Sequence, residues 1–201
     1  MKILLYTGYR TGSNSLGEWS SIQLDLPYYH EPFNKNITIP SMIANKLALY
    51  ENFSIEESGD CIMKISPFDE FDYESIKKLF DKRIVLYREN TKEQAESIIW
   101  ANEKQLWHHT YLDDKFISAH YTIPMEWLNK NVDEIEQLAT SLTKENELLK
   151  SLTDCLHITY EELYYSEEGI KKIEDYIGFK SKTKFSKIHK LRNGFIKKSL
   201  T

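Results

Sequence analysis

The chain has 201 residues, of which 41% are hydrophobic and 13% aromatic, so it can bury one sizeable core but has no room for two full domains. Its formal net charge is −5, although eight Lys or Arg and no acidic residue fall within 180–201. The rest of the chain is therefore more acidic than the whole, which argues against general nucleic-acid binding.

Short apolar runs alternate with helical patterns along the chain, which predicts an α/β fold with a central parallel sheet flanked by helices. Strands are expected at 2–6, 28–30, 61–65, 83–87 and 156–160, the second of these being the weakest pattern. We expect one domain over 1–201.

Helices are expected between these strands, with recognisable start and stop signals. One helix should open directly after the glycines near residue 12, and a short one should cover 72–80. A longer helix is expected at 91–107, where Thr91 and Gln94 have capping-box spacing. Pro124 should open a long amphipathic helix or a pair of helices, and Gly178 should close the last helix.

The stretch 6–16 places glycines, hydroxyls and one cation between a strand and a helix. Gly8 and Gly12 permit tight turns, Arg10 carries a permanent charge, and a helix N-terminus favours anions. Its polar donors are Thr11, Ser13, Asn14 and Ser15. The pattern predicts an anion-binding loop, with an ordinary strand-to-helix turn as the alternative. It lacks the Gly-Lys-Ser/Thr of triphosphatase P-loops, which disfavours a magnesium-ATP site.

Two further segments fall at expected strand ends, where parallel sheets bind ligands. Arg88 ends a strand, and Gln94 and Ser97 share one face of the next helix. The Arg88 guanidinium and the Ser97 hydroxyl can therefore bind a second phosphate together. His30 and Glu31 are natural proton acceptors for a hydroxyl nucleophile. In both cases an ordinary surface role is the alternative.

These segments together resemble sulfotransferases. Residues 9–16 are similar to the 5′-phosphosulfate loop, although Tyr9 replaces the usual proline and Asn14 a common threonine. Residues 86–108 resemble the 3′-phosphate element of bacterial carbohydrate sulfotransferases, and 29–33 resemble their Glu-Pro-Phe/Leu segment. The late Tyr-Glu-Asp/Glu-Leu strand is matched by 158–163, and Arg192 begins a faint match to the late Arg-Lys-Gly motif.

The resemblance implies a P-loop-containing nucleotide-binding architecture and a sulfotransferase activity. The donor would be 3′-phosphoadenosine 5′-phosphosulfate (PAPS), without a metal, and the acceptor a hydroxyl of a carbohydrate or other small metabolite. Residues 106–152 would form a helical acceptor-side region, and 180–201 a basic segment near the nucleotide.

The resemblance also implies a role for each site residue. Arg10 and the donors Thr11, Gly12, Ser13, Asn14 and Ser15 would hold the 5′-phosphosulfate, with Arg10 also neutralising charge on the bridging oxygen. Arg88 and Ser97 would hold the 3′-phosphate, and Arg192 would close over the nucleotide. Glu31, or His30 as second choice, would take the proton of the acceptor hydroxyl.

Two other functions remain open at this stage. A kinase-like phosphotransferase could use a similar scaffold, and a catalytically silent protein could keep the nucleotide site. The apolar run at the start is too short for a signal peptide or a membrane span, and Cys61 and Cys155 cannot build a disulfide framework. We therefore expect a cytoplasmic protein with no membrane partner.

Overall fold

A computed structural model describes residues 1–32, 54–67, 72–104, 123–182 and 185. Arg192 lies outside these residues, as do parts of the predicted acceptor-side region and most of the basic segment. Within them no helix combines the length and the apolar character needed to cross a membrane.

The strands and helices alternate along the chain as the sequence predicts. The strands are β1 (Lys2–Thr7), β2 (Tyr28–His30), β3 (Cys61–Ile65), β4 (Lys82–Tyr87) and β5 (Leu156–Thr159). The helices are α1 (Ser13–Leu24), α2 (Tyr73–Ile76), α3 (Thr91–Lys104), α4 (Met125–Lys130), α5 (Val132–Ser151), α6 (Tyr160–Tyr165) and α7 (Glu168–Ile177), and a 3-10 turn at Lys77–Leu79 follows α2.

The five strands form one parallel sheet in the order β2-β3-β1-β4-β5, which confirms the predicted α/β fold. All carboxyl ends therefore lie at the same edge. The chain leaves β1 toward β2 and β3 and later crosses to β4 and β5, so the topology switches direction between β1 and β4. Ligands of open α/β sheets bind in the crevice at such a switch point.

The core lies on both faces of the sheet, because a strand points successive side chains to opposite sides. Ile3 and Leu5 pack with α1, α6 and α7 on one face. Leu4 and Tyr6 pack with α2 and with Leu149 of α5 on the other. The central strand β1 is thus buried from both sides, and the residues that follow it are held in a fixed position.

Two details of the element ends differ from the sequence prediction, and local hydrogen bonds explain both. Strand β5 ends at Thr159 because Thr159 and Glu162 form a capping box that starts α6. Helix α3 is capped by Asn90, whose Oδ1 accepts from the Glu93 N–H at 3.1 Å, so the expected Thr91 capping box was wrong. Pro124 precedes a pair of helices, which keeps one of the two predicted alternatives.

Candidate anion-binding site

The opening loop, residues 8–12, connects the end of β1 to the start of α1. Gly8 has its carbonyl oxygen 3.1 Å from the hydroxyl of Thr7 and 3.1 Å from that of Thr11, and the two hydroxyls also contact each other. The hydroxyl of Thr11 therefore stabilises the loop. The group of Thr11 that can donate to an anion is its backbone N–H. This side chain is fully buried.

The first backbone N–H groups of α1 donate to no capping side chain and can donate to a ligand. Gly12 is the N-cap residue, has a left-handed φ of 80°, and provides no side-chain cap. The first turn contains no acidic residue, and the first N–H groups of a helix lack intrahelical acceptors. With twelve residues behind it, this N-terminus favours a negative charge in front of Ser13, Asn14 and Ser15.

Tyr164 of α6 holds the loop from the other side. Its hydroxyl donates to the carbonyl oxygen of Gly12 at 3.1 Å. A Cβ at Gly12 would lie 2.3 Å from the Tyr164 ring, so only glycine fits there without displacing the tyrosine. The sequence pattern did not reveal this contact, which joins residues 152 positions apart.

Arg10 turns toward α3 and not toward solvent. Its Nε donates to the Ser97 hydroxyl at 2.9 Å, and the Gln94 amide donates to the carbonyl oxygen of Tyr9 at 2.7 Å. Arg10 also has a left-handed φ of 56°, a conformation that costs a non-glycine residue free energy and is often found at functional sites. The structure therefore places Ser97 with Arg10 in the opening loop.

A cluster of four side chains, two buried and two half-buried, lies beside the start of α1. Lys64, at the carboxyl end of β3, forms an ion pair with Glu31 at 2.5 Å, and both side chains are only 6% exposed. Asn14 Oδ1 accepts from Lys64 Nζ at 2.9 Å and lies 2.7 Å from His30 Nε2. Sequence reasoning missed Lys64, since a single lysine at the end of an apolar strand carries no motif.

This cluster fixes the protonation of the His30 ring. An ammonium group only donates, so the Asn14 atom that faces Lys64 must be the oxygen. That oxygen cannot donate, and His30 Nε2 must therefore carry the hydrogen of the bond between them. If His30 accepts a proton from an acceptor hydroxyl, it must do so at Nδ1.

Arg88 stands at the end of β4 with acidic partners of its own. Its Nη2 pairs with Glu93 at 2.6 Å, its Nε lies 4.0 Å from Glu161, and its guanidinium stacks on the Tyr160 ring at 4.3 Å. Burial raises the pKa of Tyr160 to about 12, so this ring stays neutral. Arg88 Nε is buried without a hydrogen-bond partner and can still donate to an anion.

The predicted site residues thus form two neighbouring groups. The opening loop, Ser97 and the cluster around Lys64 surround the start of α1, whereas Arg88 lies at the end of the next strand. The joint grip of Arg88 and Ser97 on one phosphate stays a prediction. In the part of the chain that the structure describes, no three His, Cys, Asp or Glu side chains gather as metal ligands would.

No protein-family model and no curated protein sequence matches the chain. Among solved structures it is similar to that of the mouse sulfotransferase SULT7A1 complexed with PAP, with 16% sequence identity and a TM-score of 0.47. The match covers 96% of this chain and 63% of that one, so the chain spans less than two thirds of its length. A likeness at this level does not by itself indicate a shared activity.

Proposed function

We propose that the chain transfers a sulfuryl group from PAPS to a hydroxyl of a carbohydrate or other small metabolite. The observation that carries the proposal is the uncapped start of α1, which lies at the switch point of the sheet with Arg10 on one side and Lys64 on the other. The ordered resemblance of the sequence segments to sulfotransferases supports the same activity.

The residues at the site fit a ligand that carries two separated anionic groups. The opening loop and α1 offer backbone donors for a 5′-phosphosulfate, and Arg10 of the loop and Lys64 of β3 offer two cations. Arg88, one strand away, offers a buried Nε without a hydrogen-bond partner. The Glu93 carboxylate, which pairs with its Nη2, is half exposed and can give way to a phosphate. A nucleotide with a 5′-phosphosulfate and a 3′-phosphate carries two such anionic groups.

When bound, PAPS supplies an activated sulfuryl group, whose transfer breaks its bond to the 5′-phosphate oxygen and leaves adenosine 3′,5′-bisphosphate. The protein has to orient this donor and to stabilise negative charge near the loop. Arg10 and the N–H groups of α1 are already held in place by α3 and by Tyr164, so little reorganisation accompanies the reaction.

Glu31 and Lys64 can couple proton transfer to charge stabilisation. In the resting protein Lys64 balances the Glu31 carboxylate. If Glu31 takes the proton of the acceptor hydroxyl, it becomes neutral, and the Lys64 ammonium loses its counter-charge. The ammonium is then available to negative charge that develops at the neighbouring α1 N-terminus. His30 at Nδ1 is the alternative proton acceptor.

Adenosine 3′,5′-bisphosphate is expected to raise the unfolding temperature of the protein, whereas magnesium-ATP is not. At a ligand concentration of one hundred times Kd, binding stabilises by about 2.7 kcal/mol, which corresponds to a rise of roughly 5–10 °C for a chain of this size. Differential scanning fluorimetry measures this rise. The Arg88→Ala variant should lose most of it.

The matched control for Arg88→Ala is Lys92→Ala, which removes an exposed cation from the first turn of α3. Its thermal shift should equal that of the parent protein. A response to magnesium-ATP alone would contradict the proposal and favour a phosphotransferase. A shift by the bisphosphate without transfer to any acceptor would instead favour a silent nucleotide-binding protein.

The Glu31→Gln variant is expected to transfer sulfate at least about 100-fold more slowly than the parent, because it can no longer accept a proton. Transfer from labelled PAPS across a panel of hydroxyl acceptors measures this. Glu57→Gln, at an exposed position, is the control and should keep the parental rate. Full activity of a folded Glu31→Gln protein would exclude Glu31 as the essential base and leave His30.

A further inference from the structure

A carboxyl group of α5 lies against the opening loop, and the proposed transfer does not use it. A Cβ at Gly8 would be only 2.4 Å from Glu145 Oε1 and 4.0 Å from the Gln94 amide nitrogen. Glu145 is held there by its neighbours along α5, since Leu142 and Leu149 are buried on the same side of the helix. This part of the loop follows β1 directly, at the switch point of the sheet.

The Glu145 carboxyl has no group that compensates its charge. Its Oε1 is buried without a hydrogen-bond partner, and the nearby Gln94 amide donates to the Tyr9 carbonyl instead. Burial alone raises the pKa of Glu145 to about 7, from an ordinary value of 4.5. Near neutral pH the protein therefore exists with this carboxyl both protonated and ionised.

The charged groups on the elements around Glu145 pair with other groups, point to solvent or are themselves acidic. In the loop Arg10 donates to Ser97, and at the end of β4 Arg88 pairs with Glu93 of α3. On α5 itself, Lys150 pairs with Glu89 and Glu147. On α3, Lys92 points to solvent, and Glu96 carries a pKa that burial and Glu93 raise. None of these groups contributes to the raised pKa of Glu145.

We propose that the opening loop takes up its anionic ligand together with one proton, and that Glu145 carries this proton. The inference rests on the proposed function, because it takes the loop as the anion site. An ionised Glu145 repels an anion placed over Gly8, whereas a protonated one does not. Ligand binding thus favours the neutral carboxyl, and the proton comes from the solvent.

The affinity for inorganic sulfate, which has no proton to exchange in this range, is therefore expected to be constant below about pH 6 and to fall by up to about tenfold per pH unit above pH 7. Adenosine 3′,5′-bisphosphate should show the same fall above pH 7, where its own phosphates, with a second pKa of about 6, are already ionised. Calorimetric titration at pH 7.5 in two buffers of different ionisation enthalpy should show uptake of more than half a proton per ligand.

The Glu145→Gln variant should bind both probes without this uptake and with an affinity that no longer falls above pH 7. Glu147→Gln is the matched control on the same helix, since its side chain is 65% exposed, and it should keep the parental uptake. A His30→Gln variant removes the imidazole next to Asn14, and retention of most of the uptake in this variant further supports Glu145. Uptake that persists in Glu145→Gln would overturn the inference.

The two hypotheses fail in different ways. Binding of the bisphosphate without proton uptake overturns only the role of Glu145, whereas no binding at any pH overturns the proposed function as well.

A ligand-free readout is the pH dependence of unfolding. Because the folded protein holds the Glu145 proton more tightly, its stability should fall as pH rises from about 4.5 to 7. Glu145→Gln should therefore melt higher than the parent at pH 8 and equally near pH 4, and equal melting at pH 8 would contradict the inference.

Discussion

Replacing Lys64 with methionine is expected to lower the free energy of unfolding by about 3–5 kcal/mol. The substitution leaves Glu31 as a buried carboxylate without its counter-charge, and it removes a donor to Asn14. Urea unfolding at neutral pH measures the effect. The double variant Lys64→Met/Glu31→Leu should regain most of the loss, since no unpaired charge then stays buried.

The matched control for this prediction is Lys172→Met, which breaks the exposed ion pair with Glu162 and should destabilise the protein far less than Lys64→Met. Equal losses for Lys64→Met and Lys172→Met would contradict the buried pair. The double variant also separates stability from binding, because it should fold and yet bind adenosine 3′,5′-bisphosphate weakly without the Lys64 cation.

Gly12→Ala is expected to destabilise the protein by about 2–3 kcal/mol and to impair anion binding. The left-handed φ of 80° costs an alanine about 1 kcal/mol, and its Cβ must push away the Tyr164 ring at 2.3 Å. Because Gly12 begins α1, the displacement also moves the backbone donors of the site. Denaturant unfolding and the thermal shift with the bisphosphate measure the two effects.

Gly59→Ala is a close control for Gly12→Ala. Gly59 has a similar φ of 66°, but nothing lies within 4 Å of its added Cβ. Its substitution should therefore cost only the backbone contribution of about 1 kcal/mol and leave ligand binding unchanged. If both variants lose the same stability, the packing of Tyr164 on the loop does not matter.

The fold could be predicted from the sequence because its strands are short apolar runs with clear breaks between them. The structure confirms the parallel sheet and all five strands within a residue or so of the predicted positions. The sequence does not predict helix α6, although Thr159 and Glu162 have capping-box spacing, because the apolar pattern extends the strand over 156–160 and residues 158–163 resemble the late strand of sulfotransferases. The capping-box spacing of Thr159 and Glu162 was a local signal for the start of a helix.

The site was harder to predict, because long-range packing decides its chemistry. The sequence indicated Arg10, Glu31 and Arg88, but it could not show that Glu31 pairs with Lys64 or that Arg10 reaches Ser97, 87 residues away. Glu145 lies on a helix with many exposed acids, so its pattern is that of a solvated face. Only the approach of α5 to Gly8 distinguishes it.

The position of β1 in the sheet has a consequence for the folding of the protein during translation. This strand emerges first of the five, yet its two neighbours pair with it from Cys61 and from Lys82. Until both have been synthesised, the nascent chain exposes a hydrophobic strand with two open edges, which is prone to wrong pairing. We therefore expect the opening loop to become ordered only after β4 has joined, and translation pauses before that point to favour aggregation.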